Sequence, residues 1–220
     1  VNKTSWESIV CRGTELLLLP QRAVYWPAQQ ALLVADLHLG KAGHFQKHGI
    51  AVSGEVLFRD LQVLGDLLLR WQPKRLLILG DLFHSNYNRE WEVFADFLVE
   101  FDCQVELIRG NHDRLWDGHY ARAGITVHEE ELSLGPFVLR HEPVGEEGPL
   151  PDRYVLCGHL HPGVRLVGNG RQTMRLPCFY FGERQGILPA FGQFTGLAIC
   201  YPEEGEKVFA IVEGEVLQVN

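Results

Sequence analysis

The chain has 220 residues, of which 46% are hydrophobic, 10% aromatic and 22% charged, a balance that excludes a disordered, fibrous or low-complexity protein. Its length favours one compact domain over residues 1–220 rather than two in tandem. Lys+Arg 20 against Asp+Glu 28 gives a net charge of -8, so no overall cationic field holds nucleic acid and any polyanionic partner must be gripped locally. Five scattered cysteines without a C-x-x-C exclude a disulfide scaffold and point to a reducing cytoplasm. No apolar run approaches the ~18 residues of a membrane span, and Glu7, Arg12 and Glu15 stand where a leader would need its apolar core.

In chain order, the first readable run is Ala31 to Ala35, which leads into Asp36-Leu37-His38. Ser53 is a candidate N-cap for a helix whose apolar stripe is Leu57, Leu61, Leu64, Leu68 and Trp71, ended by Pro73. Arg75 to Leu79 then runs into Gly80-Asp81. Trp91, Phe94, Ala95, Leu98 and Phe101 repeat the helical period before Gln104 to Ile108, which ends in Arg109-Gly110-Asn111-His112-Asp113. Strand, helix, strand, helix, strand predicts parallel pairing of doubly buried strands. Beyond residue 136 the pattern changes to short strands at Phe137 to Arg140, Tyr154 to Cys157, Gly163 to Val167, Arg171 to Leu176, Leu197 to Tyr201, Lys207 to Val212 and Glu215 to Val219. Turn signals at Gly168-Asn169-Gly170 and Glu213-Gly214 make this half mainly antiparallel. The expected architecture is α/β, with two packed mixed β-sheets flanked by helices.

The residues that carry chemistry collect at the C-terminal ends of these strands, where open α/β sheets place their sites. They are Asp36-x-His38, Gly80-Asp81-x-x-His84, Gly110-Asn111-His112-Asp113, His141 and Gly158-His159-Leu160-His161. A lone strand-end Asp or His is more often a satisfied turn residue than a ligand, but five such clusters reverse that weighting. Strand alternation would put Asp36 and His38 on one face, and likewise His159 and His161. Carboxylates, imidazoles and one amide without thiolate suit Mn, Fe, Co or Zn better than Mg, and Mn is the expected ion. Seven such donors exceed one tetrahedral site and suffice for two metals about 3.5–4 Å apart with a shared carboxylate, an arrangement that clamps both oxygens of an in-line displacement at phosphorus. A metal-bridging hydroxide would then be the nucleophile.

This pattern, D-x-H, G-D, G-N-H-D, H and G-H-x-H, resembles that of the calcineurin-like metallophosphoesterases and is matched in order from Asp36 to His161. The resemblance implies a four-layer αββα sandwich in which Asp36, His38, Asp81 and His161 hold one ion and Asp81, Asn111, His141 and His159 the other. It also implies that His112 acts at the scissile bond as a general acid, with Asp113 orienting it. The segment Gly186 to Gly196, together with Asp36 to Lys41 and Gly158 to Pro162, resembles the narrower ICC-like group that includes the ligase-associated DNA damage response endonuclease. That likeness implies a nuclease acting in DNA repair beside a DNA ligase and a helicase. The expected function is a two-metal phosphodiesterase acting on nucleotides or nucleic acid.

Candidate substrate contacts are His84, Lys41 and Arg114, with His44, Lys47 and His48 on the same loop as Lys41 and Arg89 just after a motif. The plain reading of each is a solvated loop or a surface ion pair. Tyr87, Trp91 and Trp116 suit base stacking, although aromatics at helical spacing are more often core. His119 and His128 read as structural, and Cys157 as a small buried apolar residue. Gly186 to Gly196 lacks the lysine of a phosphate loop, so its glycines are read as letting Phe191 and Phe194 pack beneath the site. Two other readings stay open: a scaffold on the same fold that has lost its metals, which the filled ligand positions oppose, and a nucleotide-sugar-lipid pyrophosphohydrolase, which His112 opposes where that branch has Arg.

Overall fold

Apolar runs that alternate their burial between two faces organise the molecule. A computed structural model describes residues 5–40, 55–145, 153–168, 172–193 and 195–220. The predicted cap Ser53, the predicted turn residues Asn169 and Gly170, Phe194, and the predicted loop residues Lys41, His44, Lys47 and His48 lie outside the described residues, as does the side chain of Leu57.

The first sheet has seven strands in sequence order: β1 (Glu7–Cys11), β2 (Thr14–Leu19), β3 (Ala23–Trp26), β4 (Ala31–Val34), β5 (Arg75–Ile78), β6 (Gln104–Ile108) and β7 (Ile125–His128). β1 to β4 form an antiparallel meander, and β4 to β7 are parallel, as crossover helices require. Helix α1 (Glu55–Trp71) joins β4 to β5, α2 (Arg89–Val99) joins β5 to β6, and the short α3 (Asp117–Arg122) precedes β7. Asn88 caps α2, accepting from the N–H groups of Glu90 and Trp91 at 2.8 and 3.3 Å. α1 ends at Gln72, whose left-handed φ of 43° lets its N–H bond back to the Leu68 carbonyl before Pro73.

The second sheet has nine strands: β8 (Glu131–Leu134), β9 (Phe137–Arg140), β10 (Tyr154–Cys157), β11 (Pro162–Val167), β12 (Thr173–Phe181), β13 (Gln185–Ile187), β14 (Ala198–Ile199), β15 (Lys207–Val212) and β16 (Glu215–Gln218). Five of its eight pairings are antiparallel; β10 is parallel to β9 and β13, and β11 to β14. The Glu213-Gly214 turn closes β15 on β16 with φ of 46° and 84°, the doubly left-handed hairpin form those residues accept.

Period-two burial decides the layering. Leu32, Val34, Leu76, Ile78 and Leu107 face Leu61, Leu64 and Leu68 of α1 and Trp91, Phe94 and Leu98 of α2. Their neighbours Leu33, Ala35, Leu77, Leu79 and Ile108 face Phe137, Leu139, Leu156, Phe179 and Phe209 of the second sheet. The fold is therefore two mixed sheets sharing one core with helices flanking, the α/β sandwich expected. The far face of the second sheet carries a smaller cluster around Val164, Cys178, Val208 and Ala210. Among the described residues, no helix is long and apolar enough to cross a membrane.

Candidate metal centre

The C-terminal ends of β4, β5, β6, β9 and β10 meet along one edge of the sandwich, and there the structure brings together Asp36, His38, Asp81, Asn111, His141, His159 and His161. Asp36 and Asp81 are buried, and His141 with them. His38 Nε2 stands 3.2 Å from His161 Nε2, and His141 Nε2 stands 3.1 Å from Asn111 Oδ1 and 3.0 Å from His159 Nδ1. Two groups, Asp36 with His38 and His161, and Asp36 with Asp81 and His141, each bring their donor atoms within 4.8 Å of one another.

Backbone geometry differs from the expected strand alternation. β4 and β10 end before the motifs, and Asp36, His38, Asp81, His159 and His161 all have left-handed φ, between 49° and 70°. Asp and His tolerate this region better than most residues, yet each such position is strained. Asp36 and His38 converge because the chain winds tightly there, held by backbone bonds from the Asp36 N–H to the Gly80 carbonyl (3.1 Å) and from the His38 N–H to the Asp81 carbonyl (2.8 Å), whereas His159 and His161 part, His161 going to His38 and His159 to His141. Of the Gly186 to Gly196 segment, Ala190 to Gly192 run alongside, and Gly192 leaves no room for a Cβ against the Leu37 carbonyl. The N–H groups of Phe191 and Gly192 bond the Ala35 and Asp36 carbonyls at 2.8 and 3.1 Å, and Phe191 is buried beneath.

Glycine precedes a donor in three motifs because no larger residue fits. A Cβ at Gly80, where φ is +79°, would overlap the His141 ring. One at Gly158 would stand 2.5 Å from Asp36 Oδ2 and 2.7 Å from Ala35 Cβ. These glycines were legible in the sequence as motif members, but their role as walls shows only in three dimensions.

The electrostatics fit cations. Burying a carboxylate is costly unless it is paired or holds a metal. Asp36 and Asp81 have only histidines as ion-pair neighbours among the described residues, at 3.5 to 3.9 Å. Asp36 Oδ1 is buried without a hydrogen bond, while Oδ2 accepts the His159 N–H at 2.9 Å. Asp81 Oδ1 accepts the His112 N–H at 2.9 Å. His141 Nδ1 lies 3.0 Å from the Leu79 carbonyl, which assigns the ring proton to Nδ1 and turns the Nε2 lone pair towards Asn111 Oδ1 and Asp81 Oδ1. Acceptors that face acceptors beside two buried carboxylates suit a positive ion between them.

The remaining predicted residues take varied places. The His112 ring, half-buried, packs at a 36° tilt against His84 with centroids 4.0 Å apart, and His38 is 5.5 Å from His84 and 5.8 Å from His112, so both predicted residues join the site. Asp113 does not orient His112 through its carboxylate. Oδ1 accepts the Phe83 N–H at 3.1 Å and Oδ2 the Gly110 N–H at 2.9 Å, which ties the loops after β5 and β6 together. Burial pushes this carboxyl up to about 6, against the pull of those two N–H groups. Arg114 is exposed and bends back to the Asn111 carbonyl at 3.3 Å, and Lys41 lies outside the described residues. Cys157 is buried, and Trp91 is core, as the plain readings held. Sequence reasoning missed Arg22, which donates to the Ala190 and Gly192 carbonyls at 3.3 Å and anchors the segment beside Asp36; no local pattern marks it.

A family model of calcineurin-like phosphoesterases matches residues 30–161. Among solved structures, nuclease MPE from Pseudomonas putida is 36% identical, with a TM-score of 0.82, over 98% of this chain and 100% of that one. The phosphoesterase Yfce from E. coli is 16% identical, with a TM-score of 0.45, over 86% of this chain and 97% of that one. No curated protein sequence matches. Fold and family together define a metal-dependent phosphoesterase. The chain belongs to the calcineurin-like phosphoesterase family, and its likeness to nuclease MPE agrees with the narrower ICC-like resemblance.

Proposed function

We propose that this protein is a two-metal phosphodiesterase that cleaves nucleic acid in the cytoplasm, with residues 1–220 acting as one catalytic unit. The observation that carries the reading is the convergence of seven donor side chains from both sheets, among them two buried carboxylates that have only histidines as ion-pair neighbours among the described residues. Likeness to a nuclease over that protein's whole length supports nucleic acid as the substrate class, and five free thiols suit a reducing compartment.

In this reading Asp36, His38, Asp81 and His161 hold one ion, and Asp81, Asn111, His141 and His159 the other, with Asp81 shared. The mixture of carboxylate, imidazole and amide suits manganese, iron, cobalt or zinc better than magnesium, and manganese is the ion proposed. Divalent ions bound there supply Lewis acidity, which activates water at neutral pH and offsets charge on a phosphoryl group. The protein's own part is to position and to move a proton. The Leu79 carbonyl fixes the His141 ring, and the N–H groups of His159 and His112 aim the Asp36 and Asp81 carboxylates. His112 packs against His84 beside these donors, and its ring nitrogens make no hydrogen bond among the described residues. It holds a proton for the departing oxygen, a contribution on the order of 10²–10⁴ in rate for a placed acid.

The test titrates Mn into the purified chain against bis-p-nitrophenyl phosphate, p-nitrophenyl phosphate, and single-stranded and nicked DNA. Mn-dependent turnover of the diester above the monoester, with DNA cut, is expected. DNA left intact while the small diester turns over would refute the nucleic-acid part, and turnover unaffected by chelation would refute the metal part.

A further inference from the structure

The loops after β5 and β6 carry His84 and His112 at their inner ends and continue outwards to a second cluster of rings. Tyr87, three residues beyond His84, stacks on His119 with centroids 4.3 Å apart and planes inclined by 23°. His119 in turn meets Trp116, four residues beyond His112, edge to face at 5.7 Å. Both aromatic residues named in the sequence alongside the buried Trp91 are exposed, Trp116 by 66% and Tyr87 by 48%.

The indole is held, not loose. A Cβ at Gly118 would overlap the Trp116 ring, so the glycine forms the floor under it, and the Arg122 guanidinium lies 5.7 Å from its centre. Arginines flank the rings along the chain. Arg89, two residues after Tyr87, Arg114, two before Trp116, and Arg122 are exposed; Asp117 is charge-paired with Arg109, and Glu92 accepts the Tyr87 hydroxyl at 3.1 Å. A polyanion that this chain can hold only locally therefore finds arginine next to aromatic surface beside the metal-site loops.

Resting on the nucleic-acid reading above, we propose that Trp116 and Tyr87 form a stacking platform for an unpaired base of a single-stranded substrate, with the three arginines meeting its phosphates. Every base has a flat π face, so such a platform grips single strands with little sequence preference, and paired bases cannot use it.

Binding of a fluorescein-labelled oligothymidylate to the full chain, measured by anisotropy in the presence of chelator, is compared with that of an abasic oligomer of equal length. The wild type binds the base-bearing strand about tenfold more tightly, the order expected for one stacked base. Trp116→Ala reduces that ratio to near one, Trp116→Phe retains most of it, and Gly118→Ala lowers it by displacing the indole. Equal binding of the two strands by the wild type, or an unchanged ratio in Trp116→Ala, overturns the platform. If instead neither strand is bound or cut while bis-p-nitrophenyl phosphate is hydrolysed, the nucleic-acid reading itself has failed.

Discussion

Gly158→Ala is the sharpest test of how the site is built. Gly158 has no left-handed φ, so alanine meets no backbone penalty there and its effect is steric alone. The added methyl would lie 2.5 Å from Asp36 Oδ2 and 2.7 Å from Ala35 Cβ, with the Leu79 carbonyl at 3.2 Å behind it. Ordinary contact needs about 3.4 Å or more, so the Asp36 carboxylate or the two strand ends must separate by roughly 1 Å. A displacement of that size costs on the order of 10² in rate when it moves a reacting constellation, and overpacking a tight site costs about 1–3 kcal/mol of stability. We expect kcat/KM on bis-p-nitrophenyl phosphate at saturating Mn to fall about a hundredfold, and the rise in Tm on adding Mn to shrink. Gly124→Ala is the control. It has φ of +71° with nothing within 4 Å of the new Cβ, so it loses about 1–2 kcal/mol of stability through its backbone and leaves kcat/KM unchanged. Wild-type turnover and an unaltered Mn-induced Tm rise in Gly158→Ala would refute the account of Asp36 as a wedged donor.

Asp81→Ala should lose both Mn binding, read by calorimetry, and turnover, whereas His112→Ala should keep the metal and lose about 10²–10⁴ in kcat; equal metal loss in the two variants would contradict the separation of roles. Asp113→Ala strands two buried N–H groups, those of Phe83 and Gly110, at roughly 1–3 kcal/mol each, so urea unfolding should show a loss of several kcal/mol, and a neutral result would mean that another acceptor replaces it. Asp60 on α1 is buried, and burial raises its carboxyl from 3.8 to about 6. The folded state then binds the extra proton, so this group's contribution to stability falls as pH rises from 3.8 to about 6. Asp60→Asn should match the wild type in Tm below that window and exceed it above; a pH-independent difference would be the contrary result.

Much of the architecture was legible because it is written in local patterns. The apolar runs at Leu76 to Ile78 and around Leu107 and Ile108 fit central strands, and the stripe at Leu61, Leu64 and Leu68 fits a face turned to a core. The candidate donors stood out because polar residues at strand ends are costly to bury without a purpose. What escaped was non-local or masked by composition. Leu16 to Leu19 is a continuous apolar run without alternation, and β2 and its meander were not read from it. Pro177 reads as a strand breaker, yet β12 runs through it to Phe181 opposite Gly163. Alternation reached the right pairing of Asp36 with His38 by the wrong route, since left-handed turns and not a strand face bring them together. The partners of Asp113 lie on backbone up to 30 residues away, which no side-chain pattern encodes.

The five left-handed donors carry one last implication. Each holds a conformation that costs of order 1–3 kcal/mol, so the site subtracts an amount comparable with the 5–15 kcal/mol by which a typical domain is folded at all. In the proposed mechanism robustness and turnover thus pull in opposite directions at the same five positions. Selection for heat resistance alone, with no demand for hydrolysis, would drift Asp36, His38, Asp81, His159 and His161 towards glycine or asparagine, and the sturdiest descendant of this chain would be an idle one.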